Sequence, residues 1–467
     1  MKKMKRNSFV FFIIFSNFLF ADSVFVSFHQ ILLSVKAFHP IVQKIALTQP
    51  TIKSRVMLAK GMFDPVFSSV YDEKNFNEKK YYSKWYHELK IPTFTGIDLK
   101  GNIETNSGQY LNNEDFTNDG TLLSIGAQVP VGRNLLFNER RLMLRQAKIM
   151  EKAGEAIQNQ FMNEFIRNLG LDYAEWLFSF RKLLLYSNAY NLAKDRYEFM
   201  LQRIQYGDEA PIDSTEMSIQ IQFISARLAE TKADYAIKKA KVNTYLWSAD
   251  GKPLDMTDNM YPTTDMSDIK KIFDSVYVSE PFSIIQNNPQ ILSAQAELQT
   301  LKLATLYSRF QLLPDLYVGY SALNSLTNPL PAWNFAENQK WNGYLYIPLF
   351  LRKERAKIQL NKIKETEKDL DIQQKIRELE LKLKAMKEQY LQLINQNNIF
   401  LLALKNSIIL RDAEKTKFNN GESSVFLINV RENNLLDMNV RYFENEMRIQ
   451  KFYFDFINTG GFLFKVF

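Results

Sequence analysis

Two hydrophobic periodicities run through this chain. Ile372, Ile376, Leu379, Leu383, Met386, Tyr390 and Leu393 alternate by four and three positions. That spacing lays one apolar stripe along a helix and is the spacing of a coiled coil. Residues 353–412 hold neither Pro nor Gly, so one helix of about 60 residues, roughly 90 Å long, is predicted there. A second near-continuous helical stretch covers 134–205. Ala226, Ala229, Ala233, Ala236 and Ala240 form another 3–4 stripe. Small side chains there would let helix backbones approach closely, and ordinary packing explains both stripes.

The other period is two. Ile97, Leu99 and Ile103 alternate with Asp98, Lys100, Asn102 and Glu104, and Leu123, Ile125, Ala127, Val129 and Val131 alternate with Ser124, Gly126 and Gln128. Leu316, Val318, Tyr320 and Ala322 form a third apolar face, and Trp341, Gly343, Leu345, Ile347 and Leu349 a fourth. Each strand is apolar on one face and polar on the other. Such lengths suit a soluble sandwich and a lipid-crossing strand alike. Tyr81, Trp85, Leu89 and Ile91 alternate with Lys84, Glu88 and Lys90, so 81–105 reads as one long strand bent at Pro92. Residues 65–80 find no place beyond a further hairpin. Polar loops, 106–119 and 324–340, separate the strands.

The order of elements repeats. Pro40 and Pro65 recur at one common offset as Pro289 and Pro314, and Ser34 recurs as Ser283. Val129-Pro130 and Ile347-Pro348 both precede basic residues, and Tyr206-Gly207-Asp208-Glu209 corresponds to Asn420-Gly421-Glu422-Ser423. Each unit reads helix, strands, long helix, Gly turn, helix. The two shorter helices, stacked end to end, match the long one in length at about 1.5 Å per residue. The first repeat spans 22–255, with strands at 81–131 and a turn at 206–213. A connector covers 256–283. The second repeat spans 284–467, with strands at 315–350 and a turn at 418–424. The class is α+β with internal structural duplication.

Composition changes the picture in three places. Lys2, Lys3, Lys5 and Arg6 precede the apolar run Phe9–Phe20, a pattern that predicts a signal peptide over 1–21. Those four residues supply half of the formal +8, which removes most support for a nucleic-acid partner. The chain has no cysteine and three histidines, His29, His39 and His87. Disulfides, thiol nucleophiles and Cys-ligated metals are excluded. The histidines lack metal-site spacing, and no phosphate loop is present. No catalytic, cofactor or metal site is predicted.

Four strands cannot close a barrel, and a sheet in lipid must close because lipid satisfies no edge N–H or C=O. Several chains would have to share one barrel. At this point the chain resembles the TolC-like outer-membrane efflux proteins. The resemblance covers about 30–460 of the chain. It rests on the duplicated Pro-bounded helix, on Val129–Gly132 and Ile347–Phe350, and on the turns 206–216 and 419–432. It implies long antiparallel coiled-coil helices forming a periplasmic α-barrel. It also implies four strands per chain in a shared 12-stranded transmembrane β-barrel. The implied assembly is a homotrimer in the outer-membrane lipid, partnered by a periplasmic adaptor and an inner-membrane transporter, with no cofactor.

Candidate site residues follow. Gly207, Asp208, Gly421, Glu422 and Ser423 sit at the turns, where the resemblance implies adaptor-docking tips and where a glycine C-cap alone accounts for the two glycines. Asp213 and Glu216 suit a capping box. The family carries carboxylates just beyond the second turn, ringing the entrance, whereas gapless reading puts Leu427 and Val430 there. Asp213, Glu216, Asn429, Arg431 and Glu432 are then the periplasmic gate candidates, with Asn429 and Arg431 supplying polar contacts. Aromatics such as Trp85, Tyr320, Trp341 and Tyr344 suit interfacial girdles or a sandwich core. The terminal Phe467 is read as incidental. Three functions compete: the passive trimeric exit duct of a tripartite small-molecule efflux system, the duct of a one-step protein secretion system, and a periplasmic structural coiled-coil protein.

Overall fold

A computed structural model describes residues 24–117, 120–207, 210–279, 281–325 and 333–466. The expected signal peptide, Asp208 and Phe467 lie outside the described residues. The chain falls into two compact units. One comprises Met1–Leu47, Ala156–Ile291 and Lys375–Phe467, the other Thr48–Glu155 and Leu292–Gln374.

The first unit is helical. After strand β1 (Val24–Val26) comes α1 (Phe28–Phe38), whose start is fixed by a capping box between Ser27 and Gln30. Helix α2 (Pro40–Ala46) begins at Pro40, where the ring pre-sets the helical φ. The chain continues through α3 (Thr48–Gly61) into the second unit. Two long helices contribute to both units: α5 (Glu139–Gln205), which follows the short α4 (Arg133–Leu136), and α10 (Arg352–Asn419). Helix α6 (Pro211–Asn243) follows α5, and α11 (Val425–Gly460) follows α10. Strand β6 (Met260–Pro262) pairs in parallel with β1, ahead of α7 (Ser267–Val278) and α8 (Pro281–Gln286).

Tyr173 and Trp176 of α5, Phe273 of α7, and Phe454, Phe456 and Ile457 of α11 form this unit's core. Leu379, Leu383 and Met386 of the predicted stripe are buried in it, with Ile376, Tyr390 and Leu393 packed against it. The alanine stripe of α6 is a correction. Ala226, Ala229, Ala233, Ala236 and Ala240 are all exposed, and the buried residues are Met217, Gln220, Ile224, Leu228, Thr231 and Val242. The two stripes share one spacing but lie about two residues out of phase, which at 3.6 residues per turn puts them on opposite helix faces.

The second unit carries one antiparallel sheet. Its strands are β2 (Val66–Phe76), β3 (Lys79–Pro92), β4 (Asp98–Ser107), β5 (Thr121–Pro130), β7 (Asp315–Ser325) and β8 (Gln339–Tyr346), in the order β2-β3-β4-β5-β7-β8. Helix α9 (Pro289–Phe310) leads into β7. Two expectations fail here. Residues 81–105 are two strands, because 93–97 fold into a turn in which the Thr93 N–H donates to the Ile97 carbonyl at 3.0 Å. The sheet therefore has six strands where four were expected. The extra hairpin, β2–β3, closes on Asn77 and Glu78 with φ of 51° and 58°. That is the geometry of a two-residue hairpin turn. Sequence reading passed over β2 because it alternates poorly: Val66 and Val70 share a face with Asp72, and Phe67 and Tyr71 share one with Glu73.

Among the described residues no single helix is long and apolar enough to cross a membrane. Helix α1 with the helical stretch after it passes only as a bent pair, and Phe28, Ile31, Leu32 and Val35 of α1 are buried in protein.

Candidate functional site

The candidate functional features are the two faces of the sheet and the two glycine turns.

Register assigns every sheet residue to a face. Ile91, Leu99 and Ala127 align across β3, β4 and β5, as do His87, Ile103 and Leu123; Ile125 pairs with Ala322, Val129 with Val318, and Tyr320 with Trp341. The opposite face aligns Glu88, Asn102, Ser124 and Leu323 in one row, with Lys90 beside Lys100 and Ser321 beside Lys340. Tyr86 and Glu88 of β3, Lys100 and Glu104 of β4, and Lys340 and Asn342 of β8 line one cavity on that polar side. Side chains from strands this far apart share a cavity only because the sheet curls toward its polar face. The apolar face is then convex, and Ile125, Trp341 and Leu345 on it are exposed. Leu99, Ile125 and Val318 thus share the apolar row as the alternation implied, while Ile97 falls in the β3–β4 turn, outside any strand.

Charged pairs fix the rim at which β4 and β7 meet the helical residues that follow β5. Asp98 accepts from Arg140 at 2.8 Å and pairs with Lys90 at 3.0 Å. Arg133 pairs with Asp315, whose other oxygen accepts from Asn134 at 3.0 Å. Arg141 Nε donates to the Phe94 carbonyl at 2.7 Å, and Phe94 stacks on Phe63 with ring centroids 4.4 Å apart.

The glycine turns lie in the helical unit. Gly421 has φ of 77°. Its N–H donates to the Phe418 carbonyl at 3.0 Å, and that of Glu422 to Lys417 at 2.8 Å. This is a Schellman stop, in which a left-handed residue satisfies the last carbonyls of the helix. Gly207 has φ of 79° and donates to Ile204 at 3.0 Å. Both glycines face open space. Beneath them Met200, Met217 and Val425 form a small core, closed by Tyr197, Ile204 and Phe418.

The predicted gate residues divide. Glu432 forms a two-pronged pair with Arg196, one arm being 2.6 Å. Arg431 lies 3.5 Å from Glu414, a carboxylate only 9 % exposed that also accepts from Ser423 at 2.5 Å. The Ser423 hydrogen bond, then the Arg431 guanidinium, hold the Glu414 carboxyl below the usual carboxylate range. Asn429 is buried, with neither amide atom bonded among the described residues. Ser424, one residue on from Ser423, caps α11 by accepting from Leu427 N–H at 3.4 Å. Asp213 and Glu216 do not form a capping box: α6 starts two residues before Asp213, at Pro211, and its N-cap is Ala210. Asp213 sits in the first helical turn, where a carboxylate favours the helix dipole without capping it. The structure thus joins Arg431 and Ser423 through Glu414, and leaves Asp213 and Glu216 apart from them.

Sequence reading missed Arg196, Glu414 and a ladder of ion pairs between α5 and α11. Arg167–Asp455 at 2.5 Å, Arg181–Glu446 and Arg196–Glu432 follow one another along the antiparallel helices. Partners more than two hundred residues apart leave no local signal. Glu175 bridges Lys238 at 2.7 Å and Lys451 at 2.6 Å. Burial works against its charge, but the two ammonium groups outweigh it and hold the carboxyl at about 2. Among the described residues no group of three or more His, Asp and Glu is placed to hold a metal.

The antiparallel sheet, curled with its polar face inward, is joined to helices of 67 and 68 residues. The chain shares that fold with solved channels. It superposes on CmeC, the outer membrane channel of Campylobacter jejuni, with a TM-score of 0.66 over 93% of this chain and 85% of that one, at 12% identity. VceC, an outer membrane protein of Vibrio cholerae, gives 0.64 over 93% and 96%, at 12% identity. The open state of the Neisseria gonorrhoeae outer membrane channel MtrE gives 0.62 over 94% and 92%, at 10% identity. No protein-family model and no curated protein matches the chain in sequence.

Proposed function

We propose that this protein is the outer-membrane component of a tripartite efflux system, a passive homotrimeric exit duct for small molecules. The curled sheet carries the proposal. Its convex face is apolar enough to meet lipid and its concave face polar enough to hold water. The fold it shares with outer membrane channels supports the same reading. The unit would span the cell outer membrane by its strands and extend its helices into the periplasm. Gly207, Asp208, Gly421, Glu422 and Ser423 would meet the periplasmic adaptor, which links the duct to an inner-membrane transporter. Exposed apolar side chains on α10, among them Leu381, Leu391 and Leu402, support burial against further copies.

Of the gate candidates, Arg431 and Glu432 are tied to partners within the chain, Glu414 and Arg196. A gate would open by parting such pairs, which are charge-assisted and directional. Fractionation with native mass measurement tests the proposal. The expected result is a detergent-requiring trimer in the outer-membrane fraction, with loss of small-molecule efflux on deletion. Recovery as a soluble periplasmic protein after osmotic shock would overturn it.

A further inference from the structure

The resemblance implies four strands per chain, and the structure holds six in one sheet. The two extra strands are continuous with the rest. Ten successive residue pairs, Ser83–Ser107 to Pro92–Asp98, join β3 to β4. Strand β2 pairs with β3 along its whole length. The faces continue as well. Leu89 and Ile91 extend the apolar row, and Tyr86 and Glu88 line the concave cavity with Lys340 and Asn342 of β8. The β3–β4 turn is anchored to the start of α5 through Arg141 and Phe94. Strand β3 therefore occupies the edge of β4 that a four-stranded contribution would offer to a neighbouring chain.

Two edges stay open among the described residues, the outer sides of β2 and β8. Every residue of both strands is exposed. An open edge in lipid is costly, because each unpaired N–H or C=O loses its hydrogen bond. Six strands are too few to close alone, since spanning barrels begin at about eight. The edges suit each other. All neighbours in the sheet are antiparallel, so the first and last of six strands run in opposite directions. Head-to-tail copies then form a closed antiparallel ring without a strand out of phase.

We infer that each chain gives all six strands to the barrel, with β8 of one copy pairing with β2 of the next. Under the trimeric reading proposed above, on which this rests, three six-stranded sheets make an eighteen-stranded barrel. Barrel diameter grows roughly linearly with strand number, so the lumen is wider than the twelve-stranded one the resemblance implies. The occupant of each open edge is a second copy of this chain.

The absence of native cysteine allows a clean crosslinking test on the full-length protein in isolated outer membranes. Ser68→Cys or Val70→Cys in β2 is combined with Lys340→Cys, Asn342→Cys or Tyr344→Cys in β8, the concave-facing positions of the two edges. Asn102→Cys in β4 with Asn342→Cys tests the four-strand arrangement. The expected result is covalent dimers and trimers from at least one β2–β8 combination and none from β4–β8. Links between β4 and β8 would overturn the inference, and so would an absence of β2–β8 links in membranes whose trimers are intact by native mass. Loss of membrane location or of the trimer in the unsubstituted chain would instead sink the proposed duct, and the strand count with it.

Discussion

Single residues do different work at the turns and in the helical core. Gly421 faces open space, so its demand is conformational: φ of 77° suits glycine and penalises β-branched residues. Left-handed backbone costs an L-residue about 1–2 kcal/mol, and Asn is the side chain that tolerates it best. Gly421→Val is expected to lower efflux in a drug-accumulation assay while native mass still reports trimers, and Gly421→Asn to restore efflux. Normal efflux by the valine variant would remove the turn from function. Glu175 gives a prediction in pH. Folding lowers its carboxyl from 4.5 to about 2, so its contribution is complete above the unfolded value and lost as pH falls from about 4.5 toward 2. Glu175→Gln should flatten the acid limb of the stability curve across that window, measured by thermal melts in detergent, and an unchanged limb would count against the bridge.

At the scale of elements, the sheet is organised by rows. Leu99, Ile125 and Val318 lie on the convex face, whereas Asn102 and Ser124 lie on the concave one. Arg at the middle of a lipid-facing strand costs about 2–4 kcal/mol, and lumen positions are far more tolerant. We expect Leu99→Arg, Ile125→Arg and Val318→Arg each to reduce the amount of trimer in the outer membrane, and Asn102→Arg to leave it near the unsubstituted level. Equal loss in both sets would mean that the faces are assigned wrongly. The helices show the limit of periodicity. Two 3–4 stripes exist on α6, and only the one through Ile224 and Leu228 meets the core. A stripe identifies a helix, and packing decides which stripe is inside.

For the whole molecule, the described chain leaves surfaces unpaired that the proposed duct would cover. It presents a curled sheet with two open edges and helices with exposed leucines on one of the longest of them, α10. Each observation points to copies of the chain as the missing surface. The duplication then has a physical sense. The first half of the chain supplies four strands of this sheet and the second half two, and β5–β7 joins the two sets. In the arrangement inferred above, the β2–β3 hairpin is the element that would set the barrel size.

Local chemistry determined much of this from the sequence. Spacing of Leu379, Leu383 and Met386 marked α10, and Gly207 and Gly421 marked the C-terminal ends of α5 and α10, because periodicity and left-handed φ are properties of neighbouring residues. Alternation in β4, β5 and β7 fixed which residues share a face, since successive strand side chains point oppositely. Strand β2 escaped because each of its faces mixes apolar and acidic residues, Val66 and Val70 with Asp72, and Phe67 and Tyr71 with Glu73. Tertiary structure alone decided that Pro92 ends a strand, that Glu414 is held by Ser423 and Arg431, and that Arg196 finds Glu432. The Arg196–Glu432 pair joins groups 236 residues apart, and the Glu414 cluster spans a helix end and the turn after it, so neither is encoded in a local period. Strand count belongs with them, because pairing is a relation between strands.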